Sequence, residues 1–203
     1  MTASLLPLAD LALRLGRVDR ATLHPDGVRW ETDTDHTVML ALITPAVAAE
    51  HPELGLDVGL VTQLAVVHDL VEAYAGDTDT FRLVVEGRTT DKAAREAVAL
   101  ERIAVECAAW PWVVRTIRLY EAQQVREARF VRYLDKVCPR LTNTLNRGAA
   151  IRARGLGKAA SFEHDRRLID GLAEQYPEFA AVCGALLRRA CDESEAAWLE
   201  DAP

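Results

Sequence analysis

The chain has 203 residues, of which half are hydrophobic and 27% are charged, and its formal net charge is −7 at pH 7. This composition is typical of a soluble globular protein that is long enough to bury a substantial core. The acidic total argues against a general nucleic-acid or membrane-surface binder, because both need a basic footprint. The net charge is compatible with a small phosphorylated substrate, since binding one needs only one or two local cations.

The cysteines and the N terminus bear on the cellular compartment. Cys107, Cys138, Cys183 and Cys191 form no CxxC pair and lie at no zinc-finger spacing, so we expect reduced thiols. No basic segment precedes an apolar core at the N terminus, and no apolar run approaches the length of a bilayer span. The sequence therefore predicts a cytoplasmic protein without a membrane anchor.

The first third of the chain predicts two helices joined by an irregular segment. Closely spaced leucines favour a helix over 3–16 that ends at Gly16. Turn residues in 17–30 indicate a short hairpin or an ordered loop. A largely apolar helix is predicted from His36 to about Glu50, with N-cap candidates at 33–35.

The rest of the chain predicts helices throughout. Pro45 should kink the helix over 36–50 or mark a join within it. Further helices are predicted over about 57–75, 89–109, 111–122 and 121 or 124 to 145, and two more between 161 and 199 are separated near Tyr176-Pro177. We find no convincing β run and interpret 148–157 as a basic linker. The predicted fold class is all-α, a single domain over 1–203 with a helical-bundle core at about 5–145 and C-terminal helices at about 161–199.

The most informative stretch lies within the predicted helix at 57–75. It carries His68, Asp69 and Glu72 in an apolar context, where isolated charges are costly unless they are paired or bind a metal. His68 and Glu72 are four residues apart and would share a helix face. Gly76 is a natural helix stop that places Asp77 just past the end. A buried His–Glu pair with a cap would explain this stretch as well as a functional site does.

Two other polar residues on predicted helices favour a functional site. His36 opens one helix, and Asp135 interrupts the apolar stretch at 131–137 of another. Together with His68 and Asp69 they form a suitable ligand set for one divalent metal between packed helices. This combination of imidazole and carboxylate ligands does not distinguish among Mn, Co, Fe, Zn, Ni and Mg.

This pattern resembles a known superfamily. The order His36 … His68-Asp69 … Asp135 is similar to that of the HD-domain superfamily of metal-dependent phosphohydrolases. The longer motif His68-Asp69-x-x-Glu72-x-x-x-Gly76-Asp77-x-x-Thr80 resembles the branch that contains the bacterial 5′-deoxynucleotidases. The tract 134–138 is similar to the family's late metal-binding helix, and the resemblance covers about residues 5–145.

The resemblance implies a role for each residue. His36, His68, Asp69 and Asp135 would hold one metal ion. Glu72 would position or deprotonate the attacking water, and Asp77 would meet the nucleotide sugar through its 3′-hydroxyl. An arginine ahead of the first metal histidine would grip the phosphate, with Arg20 as the better match and Arg17 as the second candidate. The loop after Arg20 departs from the family because it is longer and lacks an aromatic residue there.

Several functions fit these residues. The leading hypothesis is hydrolysis of (deoxy)nucleoside 5′-monophosphates to nucleoside and orthophosphate. A triphosphohydrolase acting on a deoxynucleotide such as dATP would need more cations, which Arg17, Arg20, Arg29 and Lys136 could supply. Hydrolysis of guanosine tetraphosphate is a weaker enzymatic alternative, and a non-catalytic helical scaffold is the non-enzymatic one. We expect no nucleic-acid or membrane partner. The sequence is compatible with a homodimer or higher homo-oligomer.

A second His-Asp pair, His164-Asp165, calls for a different interpretation. Its neighbours are strongly polar, so we interpret it as a solvated helix start rather than a metal site.

Overall fold

The computed structural model describes residues 3–79, 83 and 91–200. Its elements in chain order are α1 Leu6–Leu15, β1 Asp19–Leu23, β2 Trp30–Thr32, α2 Asp33–Glu50, α3 Val58–Val67, α4 Glu72–Ala75, α5 Lys92–Glu106, α6 Pro111–Ala122, α7 Arg126–Asp135, α8 Cys138–Leu145, α9 Ala149–Ala153, α10 Lys158–Gln175 and α11 Val182–Glu200, with 3₁₀ turns at Pro52–Leu54 and Pro177–Phe179. The predicted all-α class is confirmed. The expected start of α5 near Thr89, and Thr80 of the motif, lie outside the described residues.

The chain forms two compact units. The first contains Met1–Arg20 and Thr32–Val131, and the second contains Ala21–Glu31 and Arg132–Pro203. In the first unit α2 packs on α3, α3 on α6, and α4 on both α1 and α5. Its core is a cluster of buried apolar residues at positions such as Leu11, Val67, Ile103 and Ile117. This core fixes the end of α3, from which the site residues project.

The N terminus of α2 begins earlier than predicted. Thr32 caps the helix, and its side chain forms a capping box with Asp35. This reciprocal arrangement satisfies backbone donors that a helix start leaves unpaired. Asp33 therefore lies inside the first turn and is not a cap. The helix runs through Pro45 as one element, so of the two alternatives for Pro45, a kink or a join, the join is absent.

The predicted continuous helix over 57–75 is wrong. Asp57 caps α3, which ends at Val67, and α4 starts only at Glu72. Between them, backbone hydrogen bonds shorten to three-residue spacing, as in the bond from Leu70 N to the Val67 carbonyl at 3.1 Å. The backbone tightens where the polar residues begin, so His68 and Asp69 lie in a turn and not in mid-helix.

The same region also corrects the expectation that no apolar run approaches the length of a bilayer span. Within the described residues, Val58–Ala75 has the length and the mean hydropathy, 1.2, of a membrane-spanning helix. The stretch is nevertheless interrupted by the turn, and Val61, Leu64 and Val67 are fully buried in the fold. Packing in the core accounts for the apolar side chains at these three positions.

The segment after α1 forms a hairpin, which is one of the two alternatives predicted for 17–30, although no convincing β run was found in the sequence. The strands β1 and β2 make a two-stranded sheet. In the connection, Asp26 Oδ1 accepts hydrogen bonds from the backbone of Val28 and Arg29, and Gly27 has a φ of +69°. These are the turn residues that the sequence contains there.

In the second unit α8 packs on α11, and α10 packs on α11. Asn146 Nδ2 donates to the Leu23 carbonyl at 2.7 Å, and Arg154 donates to the Ala21 carbonyl at 3.2 Å. The helix predicted to run to 145 is interrupted after Asp135, and the expected linker contains α9. The predicted break near Tyr176 lies between α10 and α11.

Candidate metal centre

His68 is held in one orientation by the end of α3. It is 1% exposed, and its Nδ1 donates to the Ala65 carbonyl at 2.8 Å. A carbonyl oxygen only accepts hydrogen bonds, so Nδ1 carries a proton and the neutral ring has its lone pair on Nε2. A backbone partner of this kind commonly orients a metal-binding histidine.

The Nε2 atom of His68 faces a carboxylate. Asp69 Oδ2 lies 2.8 Å from His68 Nε2 and 3.9 Å from Nε2 of His36, which is fully buried on α2. One ligand atom from each of these three residues lies within 4.8 Å of the others. Two imidazoles and a carboxylate suit a first-row divalent metal, so the donor chemistry fits such an ion.

Glu72 extends this group along the chain. It is 2% exposed, its Oε1 accepts from Lys92 Nζ at 2.9 Å, and its Oε2 has no hydrogen-bond partner among the described residues. Burial and the neighbouring Asp69 raise the pKa of Glu72 to about 9, although Lys92 opposes the shift. Burial alone would lower the pKa of Lys92, but the Glu72 carboxylate raises it above its usual range. The contact with Lys92 favours the ionised form of Glu72, which is the form that can accept a proton.

A guanidinium reaches the same carboxylates. Arg20 Nη1 donates to Asp33 Oδ1 at 2.9 Å and to Asp69 Oδ2 at 3.2 Å, and the Arg20 side chain is 14% exposed. Asp33, Asp69 and Glu72 each have a carboxylate oxygen within 4.8 Å of the others. Burial raises the pKa of Asp33 to about 6, and Arg20 limits the rise.

The remaining predicted site residues lie in three places. Asp77 follows Gly76, whose φ is +71°, and its charge raises the pKa values of both Asp33 and Glu72. Arg17 is exposed in the turn before β1. Asp135 ends α7 within the second unit, where it is 6% exposed and accepts from Lys136 Nζ at 2.8 Å. The metal role of Asp135 stays a prediction.

Sequence reasoning missed two participants in this site. Asp33 was expected to be an N-cap candidate, yet it is fully buried beside Arg20. Lys92 begins α5 and is twenty residues from Glu72, so no local spacing linked them. The one available signal for Lys92 was Glu96, four residues on, which it also contacts at 3.1 Å.

The second His-Asp pair has a structural role. Among the described residues, His164 and Asp165 belong to no group close enough to share a metal ion. The expected solvated setting is wrong, because Asp165 is 8% exposed and accepts from Arg140 Nε at 2.8 Å. Burial lowers the pKa of His164.

The fold is similar to that of several solved structures. The chain is 25% identical to a protein from Magnetospirillum magnetotacticum described as a predicted metal-dependent phosphohydrolase, with a TM-score of 0.70 over 95% of this chain and 96% of that one. It is 22% identical to a conserved hypothetical protein from Pyrococcus furiosus, with a TM-score of 0.61 over 95% of this chain and 99% of that one. A protein from Pyrococcus horikoshii is also 22% identical, with a TM-score of 0.59 and coverage of 90% and 99%. The two Pyrococcus proteins show the fold alone.

The search of curated proteins finds no match. The HD-domain family model matches residues 12–176, which is most of the chain. The His-Asp cluster lies within that range and supplies ligands of the type that a divalent metal requires. The chain therefore belongs to the HD-domain family and is a metal-dependent phosphohydrolase.

Proposed function

We propose that the protein removes orthophosphate from (deoxy)nucleoside 5′-monophosphates. The observation that carries this proposal is the contact between Arg20 Nη1 and Asp69 Oδ2 at 3.2 Å. It puts one guanidinium next to the carboxylate of the candidate metal centre, and one guanidinium matches one phosphoryl group. A further cation, Lys92, is paired with Glu72 and Glu96.

His36, His68 and Asp69 would hold the metal ion, and we propose Asp135 as the fourth ligand. When bound, a divalent ion lowers the pKa of a coordinated water and neutralises phosphate oxygens. Asp135 carries its own counter-ion in Lys136 at 2.8 Å.

Glu72 is the proposed proton acceptor. In its ionised form, which the contact with Lys92 favours, the buried carboxyl can take a proton from the attacking water. Lys92 fixes one oxygen of this carboxyl by a 2.9 Å contact and leaves the other to act.

Arg20 would bind the phosphate, and Asp77 would contact the sugar. A charge-assisted fork to phosphate oxygens gives both energy and orientation. Asp77 is half-buried, and its charge influences Glu72, which is consistent with a place beside the reacting group. Arg17, which is exposed, is the second candidate for the phosphate contact.

Product analysis tests the proposal. Protein treated with a chelator receives Mn²⁺, Co²⁺ or Mg²⁺ and is incubated with deoxynucleoside and nucleoside monophosphates, dNTPs and guanosine tetraphosphate. We expect orthophosphate from the monophosphates, and we expect Asp69→Ala to abolish it. Glu72→Gln should lower the rate of orthophosphate release by a factor of about 10² to 10⁴ and still bind the metal ion.

Other products would contradict the proposal and indicate a different activity. Triphosphate released from dNTPs alone would assign a triphosphohydrolase, and turnover of guanosine tetraphosphate alone would assign that activity. No product with any substrate and metal would leave a non-catalytic scaffold. We also propose a cytoplasmic protein without nucleic-acid or membrane partners, and light scattering on the purified chain would establish whether it forms a homodimer or higher homo-oligomer.

A further inference from the structure

Asp33 is a buried carboxylate to which the mechanism above gives no role. It is 0% exposed at the first residue of α2. Its Oδ1 accepts from Arg20 Nη1 at 2.9 Å, and its Oδ2 has no hydrogen-bond partner among the described residues. Burying a charge is costly unless its partner is close and well oriented. The ion pair with Arg20 is therefore the contact that has to account for this residue.

Asp33 and Asp69 contact Arg20 from different elements. Asp33 starts α2, whereas Asp69 follows α3, and both receive a hydrogen bond from the same Nη1 atom. A guanidinium is planar and rigid, so two acceptors on one terminal nitrogen fix the orientation of the whole group. Arg20 therefore presents one defined face.

Of the two anchors, Asp33 is the one without a competing task. Asp69 Oδ2 also faces His68 Nε2 at 2.8 Å, and as a metal ligand it would share its charge with the ion. Its attraction for Arg20 would then be weaker than that of an unshared carboxylate. Asp33 Oδ1 would keep the guanidinium in place.

A purely structural role does not explain Asp33. An acidic residue in the first turn stabilises a helix through the macrodipole, but a solvent-exposed residue would do this without the cost of burial. The cap itself is supplied by Thr32, with Asp35 completing the capping box. The N terminus of α2 is thus satisfied without Asp33.

We propose that Asp33 is a positioning residue that holds the Arg20 guanidinium beside Asp69 for the phosphate of the substrate. This inference rests on the phosphate contact of Arg20 in the proposed function. It adds a residue outside the HD motif to the determinants of phosphate binding.

A double-mutant cycle on phosphate binding tests the inference without turnover. Inorganic phosphate is titrated calorimetrically into Mn²⁺-loaded wild type, Asp33→Ala, Arg20→Ala and the double variant. We expect each single substitution to weaken binding by about tenfold or more, since each removes a charge-assisted interaction or its anchor. Because Asp33 acts through Arg20, the double variant should lie within about twofold of Arg20→Ala.

Controls separate positioning from stability. Asp35→Asn removes the same charge from the same helical turn, so it should lower the melting temperature and leave the phosphate Kd unchanged. Bound Mn²⁺ should be equal in wild type and Asp33→Ala. If Asp33→Ala does not fold, Asp33→Asn provides the same cycle with an isosteric side chain.

The outcomes are distinct. Phosphate binding by Asp33→Ala within about twofold of wild type, or fully additive losses in the double variant, would overturn the inference. Inorganic triphosphate is titrated in parallel, so a wrong choice of monophosphate substrate shows as binding of that probe, and the cycle is then evaluated with it. Failure of wild type to bind either anion would overturn the inference together with the role of Arg20.

Discussion

The Oδ2 atom of Asp69 lies 2.8 Å from Nε2 of His68. Since His68 Nδ1 donates to the Ala65 carbonyl, the nitrogen that faces Asp69 is an electron-pair donor in the neutral ring. Two donors at this separation need a proton or a metal cation between them. The pair is therefore the part of the fold best prepared for a divalent ion.

Asp69→Asn should weaken metal binding while preserving side-chain shape. The amide removes the negative charge that faces His68, so we expect the affinity for Co²⁺ to fall by at least about tenfold. Optical titration of the chelator-treated protein with Co²⁺ measures this. Asp10→Asn is the matched control, because it removes one exposed charge, which pairs with Arg14. Equal affinities in wild type and Asp69→Asn would contradict the assignment.

Lys92→Met should move the pH dependence of turnover. Lys92 lowers the pKa of Glu72 against the effect of burial, so its loss raises that pKa further. If Glu72 must be ionised to accept a proton, the acid limb of the kcat/KM profile shifts to higher pH. The profile is measured on wild type and Lys92→Met with saturating metal. Coincident acid limbs would show that Lys92 does not act through Glu72.

The candidate site residues of the first unit could be identified from the sequence, because polar side chains are unusual in an apolar stretch. His68, Asp69 and Glu72 stand out in a buried segment, and the family spacing assigns them roles. The break after Val67 was missed because periodicity does not distinguish an α-helix from a tightened turn with the same residues. Asp33 and Lys92 were missed because their partners are distant in sequence, and only tertiary structure brings them together.

Asp165 is a residue for which the sequence predicted solvent exposure and the structure shows burial. Its polar neighbours indicated solvent, but Asp165 is buried in an ion pair with Arg140, twenty-five residues earlier. The side chains of the two partners are 12% and 11% exposed. A pattern of local polarity does not report such a long-range ion pair.

Asp165→Ala should therefore destabilise the protein without touching the metal centre. It leaves the Arg140 guanidinium buried without its carboxylate, which typically costs about 3 to 5 kcal/mol. Urea denaturation measures the loss, and metal content is determined on the same sample. Asp170→Ala, in the same helix, is the control for helix composition. Reduced metal binding at unchanged stability would instead make Asp165 part of a metal site.

His164 should make stability depend on pH. Its pKa is lowered in the fold, first by burial and then by the charge of Arg140, so the unfolded chain binds more protons below its ordinary pKa of 6.5. The free energy of unfolding should then fall as pH decreases from about 7 to 5. His164→Gln should flatten that part of the profile in urea denaturation. Parallel pH profiles for the two proteins would refute the prediction.

The central claim is that His36, His68 and Asp69 bind a divalent ion on which phosphate release depends. The most direct measurement titrates chelator-treated protein with Mn²⁺ and follows bound metal and orthophosphate release from a deoxynucleoside monophosphate in the same samples. We predict that both rise together and saturate near about one metal ion per chain. Full phosphate release from protein that contains no metal would contradict the account.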